Sequence, residues 1–375
     1  MDQRHLNHKD MVNYGSYYTP EWLVDMVYSF LEQKIPRLSD YYILDTSCGY
    51  GGFLRGEKSA GADIDETAIR TAKNLSPRHV CFRQNSLSHI SRSQYQLDDN
   101  AKIIIVGNPP YNDTTSMIRN KIKQTRFERD EDVSSRDIGV SFLLSYNKLR
   151  ADYVCVLHPL SYLIKKSNFE SLGAFRKNYK LTDSAVISSG AFPGASKTTC
   201  FPIIIGFYER LLCGMDYNYI ASYKFKTHEG KAFTLEQYDT ITRYITKYPN
   251  HKKVGGDETV AHFYTMRDIN ALKRAATFTS KENRNTIRVT KFNFPYYCYV
   301  DVFKEYIPHI PYYFGNSDIM INNEIFSELK DVFVNKTIQK HPNLHSSVEV
   351  KKSRNDGATA LDAYFRTLLG EHYVG

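Results

Sequence analysis

Ile103-Ile104-Ile105-Val106-Gly107-Asn108-Pro109-Pro110-Tyr111 is the stretch on which the reading of the fold turns. Its apolar run, Ile103 to Gly107, is continuous rather than alternating, which predicts a parallel strand buried on both faces. The four residues that follow put an unusual set of groups at the strand's carboxyl end. Asn108 offers a side-chain carbonyl, and Pro109 a backbone carbonyl with no N–H beside it. Pro110 stiffens the turn, and Tyr111 presents a flat aromatic face. Two fixed acceptors beside an aromatic plate suit a planar group bearing an –NH2, such as adenine.

Outward from this strand, the chain alternates strands with helices. Residues 20–34 read as an amphipathic helix with Pro20 near its start and Leu23, Val24, Val27, Phe30 and Leu31 on one side. Tyr41-Tyr42-Ile43-Leu44-Asp45, the strand end Ala60-Gly61-Ala62-Asp63-Ile64-Asp65 and Val80-Cys81-Phe82-Arg83-Gln84-Asn85 read as strands, with a helix through Ala68, Ile69 and Ala72 between the last two. A helix over 139–150 and a strand at Tyr153–Leu157 continue the pattern. Ala185-Val186-Ile187 and Phe201–Tyr208 read as a hairpin closing the sheet, with Pro202 at a strand start. This order predicts an α/β fold, a Rossmann-like parallel sheet with helices on both faces. Ligands on such sheets bind beyond the strands' carboxyl ends. Past residue 210 the alternation fades, which places a domain boundary there: 1–210, then an α+β region over 211–375.

Composition narrows the partners. A chain of 375 residues is long enough for two domains, and a net charge of +8 favours a polyanion. The 29 Tyr and 21 Phe stand against one Trp; such rings can stack on bases, although most belong in cores. Six cysteines (Cys48, Cys81, Cys155, Cys200, Cys213, Cys298) lie far apart with no C-x-x-C pair, so neither a zinc site nor a disulfide framework is expected. The polar stretch Met1–His5 holds no signal-like core, and no apolar run approaches the ~20 residues that cross a bilayer. A cytoplasmic protein without membrane or metal partners is the expectation.

The glycine-rich turn Asp45-Thr46-Ser47-Cys48-Gly49-Tyr50-Gly51-Gly52-Phe53 follows the first parallel strand, where glycines let backbone approach a ligand. It is not G-x-G-x-x-G and no Lys-Ser/Thr pair follows, which disfavours a dinucleotide or P-loop site. Asp63 ends the second strand, where a carboxylate can accept both hydroxyls of a ribose. Asn85 ends the third, where its carbonyl can accept from an exocyclic amine. Asp65 and Glu66 read as N-terminal residues of a helix. These positions describe a nucleoside-containing cofactor lying across the sheet.

Over residues 14–208 the chain resembles the S-adenosylmethionine-dependent DNA amino-methyltransferases, in particular N6-adenine enzymes whose recognition domain follows the catalytic one. Tyr17-Tyr18-Thr19-Pro20 resembles that family's amino-terminal cofactor motif, and Asp45–Phe53 its glycine loop. Ala62-Asp63-Ile64-Asp65, Asn85-Ser86-Leu87 and Asn108–Tyr111 match the ribose, third and catalytic motifs. Ala191-Phe192-Pro193 resembles its late aromatic motif. The resemblance implies S-adenosylmethionine as cofactor: Thr19 at its carboxylate, Asp45 at its ammonium, Cys48, Gly49 and Gly51 along the loop, Asp63 at the ribose and Asn85 at the adenine. Family members commonly carry Asp where this chain has Asn85, which keeps the acceptor but loses the charge. Asn108, Pro109, Pro110 and Tyr111 are the implied catalytic residues, with Phe192 as a second contact on the target base.

The resemblance further implies double-stranded DNA as partner, a flipped-out adenine as substrate, and a restriction system with a cognate endonuclease as the setting. Arg119, Lys121, Lys123, Arg126 and Arg129 follow the catalytic motif and are placed to bind phosphates. Lys247, His251, Lys252 and Lys253 form a second basic cluster. Lys281, Arg284, Arg288 and Lys291, interleaved with Asn283 and Asn285, form a third, the better choice for base edges because Arg suits guanine and Asn adenine. Adenine N6 in RNA, cytosine N4 in DNA and a protein glutamine amide make the same chemical demands and stand as alternatives.

Overall fold

The computed structural model describes residues 18–111, 128–195, 200–249, 259–344 and 357–375. Seven strands form one sheet: β1 (Tyr42–Asp45), β2 (Ser59–Asp63), β3 (Val80–Arg83), β4 (Ile103–Gly107), β5 (Tyr153–Pro159), β6 (Tyr179–Ser188) and β7 (Pro202–Arg210). Their order is β3-β2-β1-β4-β5-β7-β6. The pairs β3–β2, β2–β1, β1–β4 and β4–β5 are parallel. Strand β7 runs antiparallel to both β5 and β6. This is an α/β, Rossmann-like sheet, and the terminal hairpin enters it with β7 inserted between β5 and β6. After β3 the chain crosses back to the far side of β1, so a crevice opens where the carboxyl ends of β1 and β4 diverge.

Strand β4 explains why that crevice is fixed. All five of its residues are buried, as its unbroken apolar run requires. Helix α1 (Glu21–Lys34) covers one face of the sheet. Its Leu23, Val24, Val27 and Leu31 fall on one stripe and pack with Ile104 and Val106 of β4, Cys155 and Leu157 of β5, and Ile203, Ile205 and Phe207 of β7. Alternate strand residues share that face, so Ile103 and Ile105 point to the other, where they too are fully buried. Each such side chain stabilises the fold by roughly 1.5–3 kcal/mol. Glu21 in its first turn and Lys34 in its last complement the helix dipole.

Helix α2 (Glu66–Leu75) is capped by Asp65, which accepts from Thr67 N at 2.7 Å and Ala68 N at 3.2 Å. Its Ile69 and Ala72 join Cys48, Leu54 and Cys81 in a smaller core. Helix α3 (Ile138–Lys148) follows β4 and is capped by Asp137.

The first compact unit extends to Thr234, and the second spans Leu235–Gly375. The division falls beyond residue 210 because the next segment is stitched to β6. Helix α4 (Tyr217–Ser222) donates from the Tyr217 hydroxyl to Ile164 O at 2.8 Å and from the Tyr219 hydroxyl to Leu181 O at 2.6 Å. The hairpin β8 (Phe225–Lys226) and β9 (Ala232–Phe233) buries both phenylalanines, and His228 N donates to Val186 O at 2.9 Å. Fading periodicity marked the end of the sheet, not the end of the packing.

In the second unit, short strands β10 (Asp239–Thr240) and β14 (Met320–Ile321) pair, and β11 (Thr259–Tyr264) lies between β12 (Phe278–Thr279) and β13 (Thr286–Thr290). Helices α5 (Phe294–Tyr306), α6 (Asn323–Lys340) and α7 (Gly357–Leu369) pack around Tyr299. Its ring meets Phe303, Phe326, Phe333, Tyr364 and Phe365, and its hydroxyl donates to Met320 O at 2.6 Å. The unit is α+β with an aromatic core.

A fragment of residues 1–234 is expected to unfold cooperatively, whereas one ending at 210 loses the burial of Phe225 and Phe233. That is roughly 3 kcal/mol or more, read as a lower midpoint in thermal or urea unfolding of the shorter fragment.

Candidate functional site

The turn after β1 is held by the carboxylates at the ends of β1 and β2. Ser47 N donates to Asp45 Oδ1 at 3.0 Å, and Gly49 N donates to Asp63 Oδ2 at 2.9 Å. Asp63 Oδ1 also accepts from Asp65 N at 2.9 Å. Gly49 (φ +51) and Gly51 (φ +81) take the left-handed conformation that the tight turn demands. Asp45 is 1 % exposed, and burial pushes its carboxyl up to about 8, helped by the nearby Asp63 charge against the Ser47 N–H. Burial raises Asp63 as well, despite the backbone N–H groups of Asp65, Gly49 and Ile64. Among the described residues neither has a cationic partner within ion-pair distance, so the pair favours an incoming cation or hydroxyl donors.

The end of β4 meets this turn directly. Gly107 has φ +142, and a Cβ there would lie 2.7 Å from Asp45 Oδ1. Asn108 follows, its Nδ2 donating to Thr19 Oγ1 at 3.1 Å. That bond fixes which way the amide faces. Asn108 Oδ1 is buried and accepts from no described residue. Leaving such an acceptor unpaired costs about 1–3 kcal/mol, so the position is suited to a donor that comes from outside the chain. Pro109 is buried and Pro110 half-buried. Tyr111 is half-buried and lies against the α1 core. A Cβ on Gly139 of α3 would come 3.1 Å from Tyr111 Cβ, so α3 backs the aromatic plate closely.

Asp45, Asp63, Asn108 and Pro110 border a cavity of about 810 Å³, within the usual span for small-molecule sites, whereas Pro109 and Tyr111 do not line it. Thr19, Asp45, Cys48, Gly49, Gly51, Asp63, Asn85, Asn108 and Pro110 all line it. Asn85 Oδ1 accepts from Leu87 N at 3.0 Å. Cys48 lines the cavity while its side chain belongs to the small core with Leu54, Ile69, Ala72 and Cys81. A hydrogen bond with Cys81, together with burial, raises its thiol well above the usual range.

Three further placements complete or correct the sequence reading. Phe192, expected at a target base, is 5 % exposed and belongs to the core with α1, β4 and β7; it does not line the cavity. The short turn Ser189–Ala191 folds it inward, with Phe192 N donating to Ser189 O at 3.2 Å. Ile138 and Phe142 of α3 line the cavity and were not anticipated, because an apolar helix residue gives no chemical signal. Arg119, Lys121, Lys123 and Arg126 lie outside the described residues, as do Tyr17 and His251 to Lys253.

Lys281, Arg284 and Arg288 are exposed on the second unit, on β13 and the turn before it. Arg288 Nε is bound to Glu282 Oε1 at 2.8 Å, and Arg288 sits opposite His262 across the β11–β13 pair. Asn285 N donates to Asn283 Oδ1 at 2.8 Å, which folds the turn and engages Asn283 locally. Among the described residues no group of three His, Cys, Asp or Glu could hold a metal ion. No described helix is long and apolar enough to cross a membrane.

No family model matches this chain, and no curated protein sequence matches it. Solved structures resemble it in part. A modification subunit of a putative type I restriction enzyme from Vibrio vulnificus YJ016 is 18% identical, with TM-score 0.38 over 57% of this chain and 47% of that one. The type I restriction-modification methyltransferase subunit from Streptococcus thermophilus is 10% identical, with TM-score 0.41 over 83% and 57%. A putative class I S-adenosylmethionine-dependent methyltransferase from Listeria monocytogenes is 18% identical, with TM-score 0.38 over 54% and 64%. The chain spans about half the length of the first of these. Likeness at this level carries no argument about chemistry, and the fold assignment stands on the strand order itself.

Gly107→Ala is expected to cost roughly 2–3 kcal/mol, since the new methyl group meets a buried carboxylate and the backbone cannot relax to negative φ without moving Asn108. Chemical denaturation measures it; a change below about 0.5 kcal/mol would mean that β1 and β4 are not held this closely.

Proposed function

We propose that this chain is an S-adenosylmethionine-dependent methyltransferase acting on the N6 amine of adenine in duplex DNA, the modification enzyme of a restriction system. The observation that carries the reading is the buried, unpaired Asn108 Oδ1 at the end of β4, beside a cavity bordered by two elevated carboxylates. The residues fit the cofactor's groups. Asp45 suits an ammonium and Asp63 a ribose diol, while Asn85 can accept from an adenine amine through the remaining lone pair of its oxygen. Thr19 Oγ1 accepts from Asn108, so its own proton remains to donate to a carboxylate.

S-adenosylmethionine, when bound, supplies an electrophilic methyl group on a sulfonium. The protein's task is to make an aromatic amine nucleophilic. Asn108 Oδ1 and the Pro109 carbonyl would accept hydrogen bonds from the two N6–H groups, which favours a pyramidal nitrogen and stabilises the positive charge that develops on it. One N6 proton is released to solvent after the methyl group has transferred. Thr19 holds the Asn108 amide so that oxygen, and not NH2, faces the substrate. Tyr111 stacks on the base, worth roughly 1–3 kcal/mol. That offsets part of the few kcal/mol needed to rotate an adenine out of a duplex. No covalent enzyme intermediate is required.

The basic balance of the whole chain and the exposed Lys281, Arg284 and Arg288 support DNA as the partner and the second unit as its reader. A cognate endonuclease belongs to this proposal as the system's other half.

Asn108→Ala is expected to lower methyl transfer by about a hundredfold to a thousandfold, as loss of a transition-state acceptor does. Cofactor affinity should stay within a few-fold. Transfer of labelled methyl to duplex DNA, RNA and protein, followed by nucleoside and amino-acid analysis, identifies the product. N4-methylcytosine, methylated RNA or N5-methylglutamine as the sole product would replace the adenine-DNA reading, and near-normal transfer by the mutant would refute the site.

The Asp45 carboxyl, neutral below about pH 8, must ionise to pair with an ammonium. Cofactor affinity is therefore expected to rise by about tenfold or more from pH 6 to pH 8, levelling where an α-amino group itself deprotonates, about 7.7–8.0. Asp45→Asn should flatten that rise in calorimetric titrations.

A further inference from the structure

We infer that Asn85 couples the cofactor's base to the segment returning from the catalytic motif, one end of its amide serving each. The inference rests on the methyltransferase reading above and extends it to a residue whose identity that reading leaves unexplained.

Asn85 Nδ2 donates to Glu128 O at 2.7 Å. Its Oδ1 accepts from Leu87 N at 3.0 Å, and Asn85 borders the cavity. Glu128 begins the stretch that rejoins the described structure after Tyr111, and this stretch is bound to the Asn85 loop at several points. Asp130 N donates to Leu87 O at 2.9 Å. Asp130 Oδ1 accepts from His89 N at 2.7 Å and Oδ2 from Ile90 N at 3.0 Å. Lys148 Nζ of α3 reaches Asp130 Oδ2 at 2.8 Å, which with the two N–H donors holds that carboxyl down at about 2. Within this set of bonds Asn85 and Leu87 border the cavity, and Asn85 is the one of the two bonded through its side chain.

The choice of amide follows from the two ends. A carboxylate could cap the Leu87 N–H and accept from an adenine amine at least as well as Asn85 Oδ1 does. It could not donate to a carbonyl. In its place would stand two oxygens facing each other at hydrogen-bond distance, with an N–H···O=C bond lost. Asn is therefore required by Glu128, and a ligand that sets the Asn85 oxygen also sets the register of 128–130. Asn85 acts as a positioning residue for the substrate side of the cavity.

Asn85→Asp tests this because it keeps the acceptor and removes the donor. The cofactor dissociation constant is measured by calorimetry for wild type and variant at pH 8 and pH 5.5, and the ratio is taken at each pH so that the Asp45 titration cancels. The expected ratio is about tenfold or more at pH 8, falling toward one at pH 5.5, where the variant's carboxyl, once protonated, can again donate to Glu128 O. A ratio near one at pH 8, or a large ratio that does not change with pH, would overturn the proposal. Should the variant not fold at pH 8, Asn85→Ala removes both ends of the amide; affinity equal to wild type would then overturn the proposal. Failure of the methyltransferase reading is separate, since wild type would then bind no S-adenosylmethionine at either pH and the proposal would fall with it.

Discussion

A carboxylate occupies the space where any side chain on Gly107 would have to be. Asp45 closes β1 and Gly107 closes β4, and a Cβ on the glycine would stand 2.7 Å from Asp45 Oδ1. The two strands are neighbours in the sheet but 62 residues separate these positions (107 − 45). Their close approach puts the acceptor of Asn108 beside the group that would neutralise a cation. A bulkier residue at 107 would pry apart the two halves of one site. The glycine is therefore a distance constraint between Asp45 and Asn108, and the buried isoleucines of β4 maintain it.

The next requirement is orientation. An asparagine amide has an acceptor and a donor of nearly equal size, and catalysis of the proposed kind needs the acceptor alone to face the cavity. Thr19 settles this from a third part of the chain, just before α1, by accepting from Nδ2. Helix α1 is itself anchored through Leu23, Val24, Val27 and Leu31 to β4, β5 and β7. The rigidity of the amide thus derives from the core. The cost of an unpaired buried oxygen is accepted in the absence of a ligand, which is how a preorganised acceptor differs from a merely polar one.

Much of this was legible in the sequence because the first unit obeys local rules. The runs at 42–45, 59–63, 80–83, 103–107 and 153–159 are strands near where apolar runs and glycine turns placed them. Asp63, Asn85 and Asn108 border one cavity because each sits at the end of a parallel strand. What escaped depended on contacts that a linear reading does not contain. Phe192 in its aromatic motif is chemically suited to stack on a base, yet the turn before it folds the ring into the α1 core. The segment 217–233 lacks strong periodicity because its links to β6 run through tyrosine hydroxyls and short strands. Ile138 and Phe142 are ordinary helix residues until α3 is set against the cavity.

The charge of the chain poses a last question of compatibility. A protein of net charge +8 suits a polyanion, while the proposed donor is a cation and needs negative groups. Both demands can be met because the two signs are separated by depth. Asp45 is sealed within the fold, and its raised carboxyl means that much of its charge appears only when a cation arrives to stabilise it. The exposed basic residues keep their charge regardless and act through water, where salt limits their reach to about 8–10 Å. Under the proposed function, a buried, conditional negative charge and permanently charged exposed basic residues would let one chain attract a nucleic acid without repelling its own methyl donor.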